Sequence, residues 1–507
     1  MSRLRKIVIV GGGSAGWMAA VALSRALGQA VNSKTTQIEL IESDDIGTVG
    51  VGEATVPTIR TFNLDIGLGE VEFIRKTNGS FKLGIEFVNW SRSGKPFFHG
   101  FGDYVINEGP HSTLNHWLHL RDQNDPEAGD FDDYSIAAVM ARHNRFSAPV
   151  NDPRTPLSHF NYAFHFDAGL YARLLKERSI AQGVIRHEGR IVDVTVRPDD
   201  GFIQSVTMND GRTIDGDLFI DCSGFIGLLA DKALREPYLD YSHWLPVDRA
   251  WAVPCASVSP LTPYTRSTAL EAGWQWRIPL QHRIGNGYVF SSAFANEGHA
   301  RDKLLGNLDG DALAEPRLLK FTTGRRREFW VKNCVAIGLS SGFIEPLEST
   351  SIQLIQNGIT RLITMLPDMT FNPRLRTEYN RIQALEFDRV RDFIIAHYAL
   401  SGREDSAFWR YVKHMPLPDT LMEKIETFRE TGLLPLLDQE SFVLPSWLAI
   451  LIGMDVMPQR RDPLAGIQDA HKLRAALLSR KDTIAKTVAL LPDHAAFIDR
   501  HCKADVI

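Results

Sequence analysis

The residues best placed to do chemistry begin with three glycines. Gly11, Gly13 and Gly16 form a G-x-G-x-x-G in "KIVIVGGGSAGWMAAVALSRAL". A β-rich apolar run precedes them and Ala/Leu helical spacing follows. Glycine permits a tight turn there and lets the backbone approach a pyrophosphate seated on the positive end of the helix. "TQIELIES" supplies a second strand ending in Glu42, where a carboxylate suits a ribose hydroxyl. The next segment, "IGTVGVGEATVP" (46–57), is rich in small residues and suits a flat loop against a large planar cofactor. Only one full dinucleotide fingerprint occurs, so one cofactor is expected, FAD rather than NAD, with NAD(P)H oxidised elsewhere.

A second strand-to-helix junction lies at "NCVAIGLSSGFIEPLESTSIQLIQNGITRLITML". Ser349 or Thr350 reads as the N-cap of a long apolar helix. The N–H groups of Thr350 and Ser351 then form an anion site, fit for flavin carbonyl oxygens, a halide or both. By pattern, Glu348 is a first-turn carboxylate favoured by the helix dipole or a capping box. Lys82, in "SFKLGIEF", alternates with Phe81, Leu83, Ile85 and Phe87, which predicts the solvated face of one half-buried strand. "GWQWRIP" puts Trp274 and Trp276 on one face of a strand that Pro279 ends. His111, His116 and His119 lack a cysteine or carboxylate at ligand spacing, so no metal is expected.

These residues need a framework. A chain of 507 residues has room for roughly two to four domain-sized units, or one large fold with an elaborated lobe. Hydrophobic residues at 44% and charged residues at 23% are the globular mix. A net charge of −5 argues against nucleic acid and against a polybasic membrane patch. Cys222, Cys255, Cys334 and Cys502 form no CxxC, which fits a reducing cytoplasm. No stretch reaches the length of a membrane span, and glycines cut the first apolar run too early for a secretory signal.

Residues 91–160 read as a loop-rich, cleft-lining insertion. "NYAFHFDAGLYARLLKERSIAQGV" is a helix capped near Asp167, and successive strands follow with turns at Asp-Asp-Gly and Asn-Asp-Gly. The last of these, "DLFIDCSG", brings Asp221, Ser223 and Gly224 to the carboxyl edge of a sheet, where open α/β sheets bind ligands. From 370 onward the pattern is mainly helical, a cover over the active site. Within it, "SFVLPSWLAILIGMDVMP" carries exposed-prone aromatic and aliphatic groups.

"GGGSAGWMAA", "GVGEATVP", "FKLGIEFVNW", "DLFIDCSG", "GWQWRIP", "GYVFSS" and "GLSSGFIEPLEST" occur in one order. Together they resemble the FAD-dependent tryptophan-halogenase family of two-component flavin halogenases, over nearly the whole chain and more weakly after about residue 400. The resemblance implies an α/β fold. Its FAD-binding Rossmann-like core, of the p-hydroxybenzoate hydroxylase type, would span 1–366 with a β-sheet substrate layer and an inserted segment at about 91–160. A helical C-terminal module, 367–507, would cover the substrate.

The resemblance further implies halogenation dependent on FADH2, O2 and chloride or bromide, with hypohalous acid passing to Lys82. Lys82 hydrogen-bonds that acid or becomes a haloamine, and Glu348 polarises the halogenating species or accepts the arene proton. The expected cofactor contacts are Gly11, Gly13, Ser14, Ala15, Gly16 and Glu42. Val51, Ala54, Gly338 and Leu339 complete that set. Thr350 and Ser351 hold the halide, Trp274 and Trp276 partition flavin from substrate, and His99 and Phe101 sandwich a flat ring. Reduced flavin comes from a separate flavin reductase, and a homodimer is allowed. Members acting on free tryptophan have a Tyr-Tyr pair where this chain has Trp447 and Leu448. That difference predicts an indole or other electron-rich arene without an anchored amino-acid tail, or a larger substrate in a more open site. A flavin monooxygenase that uses no halide is the alternative.

Overall fold

The computed structural model describes residues 3–28, 36–45, 52–104, 112–464, 467 and 469–505. The first strand, Lys6–Val10, is apolar enough to be buried on both faces and takes the middle of a six-stranded sheet. It pairs in parallel with Gln37–Glu42 on one side and Leu218–Asp221 on the other. Ile185–Glu188 extends the sheet at one edge, and Cys334–Ala336 with Trp330–Val331 at the other. The helices Ser14–Ala26, Ala168–Ala181 and Ser351–Thr364 pack together against it. This is the Rossmann-like layer expected from the glycine turn. Asp167 caps the second of these helices as predicted, its Oδ1 accepting from Gly169 N at 3.0 Å and Leu170 N at 3.1 Å.

A seven-stranded sheet forms the second layer. Its order is Arg317–Lys320, Arg249–Cys255, Ile284–Phe290, Gly273–Pro279, Thr265–Leu270, Gly84–Val88 and Phe97–Gly100. All neighbours are antiparallel except Thr265–Leu270 against Gly84–Val88. "GWQWRIP" is one of its inner strands and ends at Pro279.

Between the layers lies a small antiparallel sheet of Gly52–Ala54, Ala163–Asp167 and Ser80–Lys82. The alternating run 81–87 is therefore two strands in two sheets, not one. The break falls at Leu83, and the next strand opens on Gly84, where any Cβ would sit 2.2 Å from the carbonyl oxygen of His99. Only glycine permits that approach.

The insertion also departs from the loop-rich expectation, since it holds the helices Thr113–Asp122 and Ile136–Arg142. Beyond residue 370 the described elements are helices, the longest being Pro373–Leu400. Leu444–Gly453 packs on the strand Phe97–Gly100, with Gly453 against the Phe97 ring. Its residues Trp447 to Ile452 are buried, not exposed, because that contact encloses them. Among the described residues, no helix is long and apolar enough to cross a membrane.

Candidate active site

Lys82 has no exposed surface. The expected solvated face does not exist, because layers pack on both sides of its strand. Its Nζ donates to the carbonyl oxygen of Thr55 at 2.9 Å and to Ser349 Oγ at 2.9 Å. The Phe101 ring centroid lies 5.1 Å away. Burial drives the Lys82 ammonium down to about 7, and the nearby Glu348 carboxylate only partly offsets this.

Glu348 closes a short 3₁₀ turn, Pro346–Glu348, and is fully enclosed. It caps no helix. His99 Nδ1 donates to both of its oxygens, at 3.0 Å to Oε1 and 2.9 Å to Oε2. His397 Nε2 lies 2.8 Å from Oε1. Burial alone disfavours the carboxylate, but the two imidazoles outweigh it and hold Glu348 down to about 2.

Neither Ser349 nor Thr350 serves as the expected side-chain cap. Ser349 has φ 60°, in the left-handed region, which costs a non-glycine residue of the order of 1 kcal/mol. That conformation accompanies the contact of its hydroxyl with Lys82. Thr350 stands at the N-cap of Ser351–Thr364 without capping it, and its buried Oγ1 has no partner among the described residues. Among the described residues, the first N–H groups of that helix thus receive no capping oxygen from the Thr350 side chain.

The glycine turn fits a dinucleotide. A Cβ on Gly11 would lie 2.2 Å from Cys222 O, and one on Gly16 would lie 1.9 Å from Gly11 O. Among the described residues, nothing lies within 4 Å of a Cβ built on Gly13, at a helix start whose N-cap makes no side-chain bond. Ser14 and Ala15 begin that helix, and Gly338 rests against Ala15, which brings the Gly338-Leu339 turn to the same end of the sheet. Glu42 is more occupied than the sequence indicates. It accepts from Lys176 at 2.7 Å, Arg186 at 2.6 Å and Trp17 Nε1 at 3.2 Å. Ala54 lies in the small sheet, one residue before the Thr55 carbonyl that holds Lys82. Val51 lies outside the described residues, as does His111. Asp221 is structural: its oxygens accept from Ser223, Leu229 and Ala230.

Trp274 and Trp276 are neighbours, with ring centroids 6.2 Å apart. Trp276 is paired across the sheet with Gly287, where a Cβ would meet its ring at 2.1 Å. Trp274 Nε1 donates to Glu345 Oε1 at 3.2 Å, and Tyr398 OH donates to the same oxygen at 2.6 Å. Glu345 Oε2 and Trp276 Nε1 are buried without a partner among the described residues. Ile278 of the same strand packs on Gly52, which ties the tryptophan strand to the "GEATVP" segment.

His99 and Phe101 sit edge to face, 6.2 Å between centroids. Facing His99 are Phe442 at 6.1 Å and Phe393 at 5.9 Å. Trp447 lies edge-on to Phe393 at 4.8 Å. Its Nε1 donates to Glu440 Oε2 at 3.2 Å, and Glu440 is itself ion-paired with Lys424. Leu448 is buried beside it.

The structure thus gathers Lys82, Glu348, His99 and Phe101. Sequence reading missed Thr55, Ser349, Glu345, Phe393, His397, Tyr398 and Phe442. Only Thr55, within "GVGEATVP", and Glu345 and Ser349, within "IEPLEST", carried a local signal. Clefts of about 730 and 380 Å³ open elsewhere, and neither is lined by Lys82, Glu348 or the glycine turn. The buried charged cluster, not cleft volume, locates the site.

The profile of the tryptophan halogenase family matches residues 6–470. Tryptophan 7-halogenase RebH of Lentzea aerocolonigenes is 38% identical over 447 residues, covering 84% of this chain and 82% of RebH. Two solved structures are closer in sequence. BrvH, a flavin-dependent halogenase from Brevundimonas sp. BAL3, is 44% identical with a TM-score of 0.93, covering 98% of this chain and 99% of BrvH. Xcc4156, a flavin-dependent halogenase from Xanthomonas campestris, is 42% identical with a TM-score of 0.95, covering 100% of both chains.

Proposed function

Because this chain belongs to the tryptophan halogenase family, we propose that it halogenates an electron-rich arene, an indole-type substrate other than a free tryptophan anchored by its amino-acid end. The observation that carries this is the convergence of a buried Lys82 and an ionised Glu348 beside Phe101 and His99. Bound FADH2, delivered by a separate reductase, supplies with O2 the oxidising equivalents that turn chloride or bromide into hypohalous acid. Gly11, Gly13 and Gly16 receive the dinucleotide, Ala54, Gly338 and Leu339 border the flavin, and the N–H groups of Thr350 and Ser351 hold the halide.

Lys82 takes delivery of the hypohalous acid. Near pH 7 a large fraction of its amine is neutral, because burial lowers it to about 7. The amine nitrogen forms a bond to the halogen, the O–X bond breaks, and water leaves. The arene then attacks the halogen, the N–X bond breaks with its electron pair returning to the Lys82 nitrogen, and the proton lost on rearomatisation goes to Glu348 and from it to that nitrogen. Oε1 of that carboxylate carries two donors and Oε2 only one, so Oε2 has the open lone pair. Amine attack predicts a halogenation rate that rises with pH through about 7, whereas a lysine acting only as ammonium donor predicts a fall.

The rings of His99, Phe101 and Phe442 give flat apolar surfaces for an arene. Trp447 has its N–H engaged by Glu440 and Leu448 has no polar atom, so this pair offers no hydroxyl to a substrate carboxylate. Trp274 and Trp276 keep the arene from the flavin and favour halogenation over oxygen transfer.

The test is a panel of indole, substituted indoles, phenols and free tryptophan with enzyme, FAD, a reductase, NADH and O2. Chloride or bromide is added or withheld, and products are read by mass spectrometry. Halide-dependent mono-halogenation of indoles, faster than of free tryptophan, is expected. Oxygenated products without halide, or a strong preference for free tryptophan, contradict the reading.

A further inference from the structure

His397 stands in the last turn of the helix Pro373–Leu400 and has no exposed surface. Its Nδ1 is 2.7 Å from the carbonyl oxygen of Phe393, one turn earlier. A carbonyl only accepts, so Nδ1 carries a proton. Its other nitrogen, Nε2, is 2.8 Å from Glu348 Oε1. Two lone pairs cannot face each other at that distance in a buried site, so one proton lies between them. The ring cannot turn away, since Phe87 and Phe393 each pack at 5.1 Å and Trp90 at 6.3 Å.

We propose that His397 is a positioning residue for the halogenation reaction: it holds a proton against Oε1 of Glu348, keeps that carboxyl ionised, and leaves Oε2 to receive the proton of the arene. The inference rests on the halogenase reading of the Lys82 site. Among the described residues, the titratable groups facing Glu348 are His99 from the strand Phe97–Gly100, His397 from the long helix and Lys82 from the strand Ser80–Lys82. Of these, Lys82 interacts with the arriving halogen, and His99 Nδ1 spans both oxygens and selects neither. His397 alone distinguishes Oε1 from Oε2.

The variants His397→Gln and His397→Asn keep an amide donor but carry no charge. Using the full-length enzyme with FAD, reductase and bromide, kcat for arene bromination should fall about 100-fold through loss of carboxyl placement, with KM within about twofold. Hypobromous acid captured by a scavenger should stay at the wild-type level or rise. The carboxylate stretch of Glu348, read at neutral pH by infrared difference against Glu348→Gln, should weaken, because a buried carboxyl deprived of His397 gains its proton more readily. A residue that merely fills space would not change that band.

Variants with wild-type kcat and an unchanged carboxylate band overturn the proposal. Should either variant fail to bind FAD, neutron diffraction of the wild-type protein decides. Deuterium on Nδ1 and on Nε2 facing Oε1 supports the proposal, and a bare Nδ1, an empty gap or deuterium bonded to Oε1 overturns it. If the wild-type enzyme brominates nothing, the halogenase reading fails, while the neutron result still judges the shared proton.

Discussion

Glu345 and Glu348 stand three residues apart in "IEPLEST", both without exposed surface, and they are driven in opposite directions. Burial is the largest influence on each and favours the neutral acid in both. At Glu348 two imidazoles overcome it and hold the group down to about 2. At Glu345 only neutral donors answer, Tyr398 OH and Trp274 Nε1, and the carboxyl is pushed up to about 8. Equal burial thus yields a base in one position and an acid in the other, and the charge of the partners decides which. The hydrogen bonds agree with this division. Both donors at Glu345 converge on Oε1, leaving the proton on Oε2, which has no partner among the described residues.

The largest test of that contrast is Glu348→Gln. The amide keeps the shape and removes the base, so kcat for arene halogenation should fall by about 10²- to 10⁴-fold while FAD still binds. Steady-state kinetics with flavin titration checks it. A drop below tenfold would place the base elsewhere.

Stability against pH separates the two groups next. Glu348, depressed when folded, contributes stability above the ordinary value of 4.5 that is lost as pH falls from 4.5 toward about 2. Glu345, raised when folded, contributes the opposite slope, since the unfolded chain sheds its proton first and stability declines as pH rises from 4.5 to about 8. Glu345→Gln should remove that decline. Its melting temperature relative to wild type should climb steadily between pH 5 and 8, and a constant difference would show Glu345 to be ionised.

A smaller effect belongs to Trp274→Phe, which deletes one donor to Glu345. It should cost about 1 kcal/mol by denaturant unfolding. Combined with Trp276→Phe, it should also raise the share of oxygenated product. Unchanged stability and product ratio would reduce both rings to packing.

The readable part of the fold was local. The apolar run, glycine turn and Ala-rich helix of residues 6–26 specify one another within a short window, as do the Asp167 cap and the strand ended by Pro279. The site is less legible because its environment is assembled from distant segments. Lys82 looked solvated because alternation reports one sheet face, whereas Thr55, Phe101 and Ser349 enclose it from three other segments. Motif resemblance, not periodicity, singled it out. His397 reads as one polar position on an amphipathic helix, and only the packing of that helix on the 3₁₀ turn brings it to Glu348. Thr350 looked like a cap because its residue type suits one, yet the left-handed Ser349 before it turns the chain so that no hydroxyl closes the helix.

The account turns on Lys82 as the group that passes halogen to the arene. The direct measurement is Lys82→Ala, assayed with bromide for brominated arene and, in parallel, for hypobromous acid trapped by a scavenger. The account predicts that FAD binding and trapped hypobromous acid persist while brominated arene disappears. Brominated arene formed at a rate near that of the wild type would contradict it.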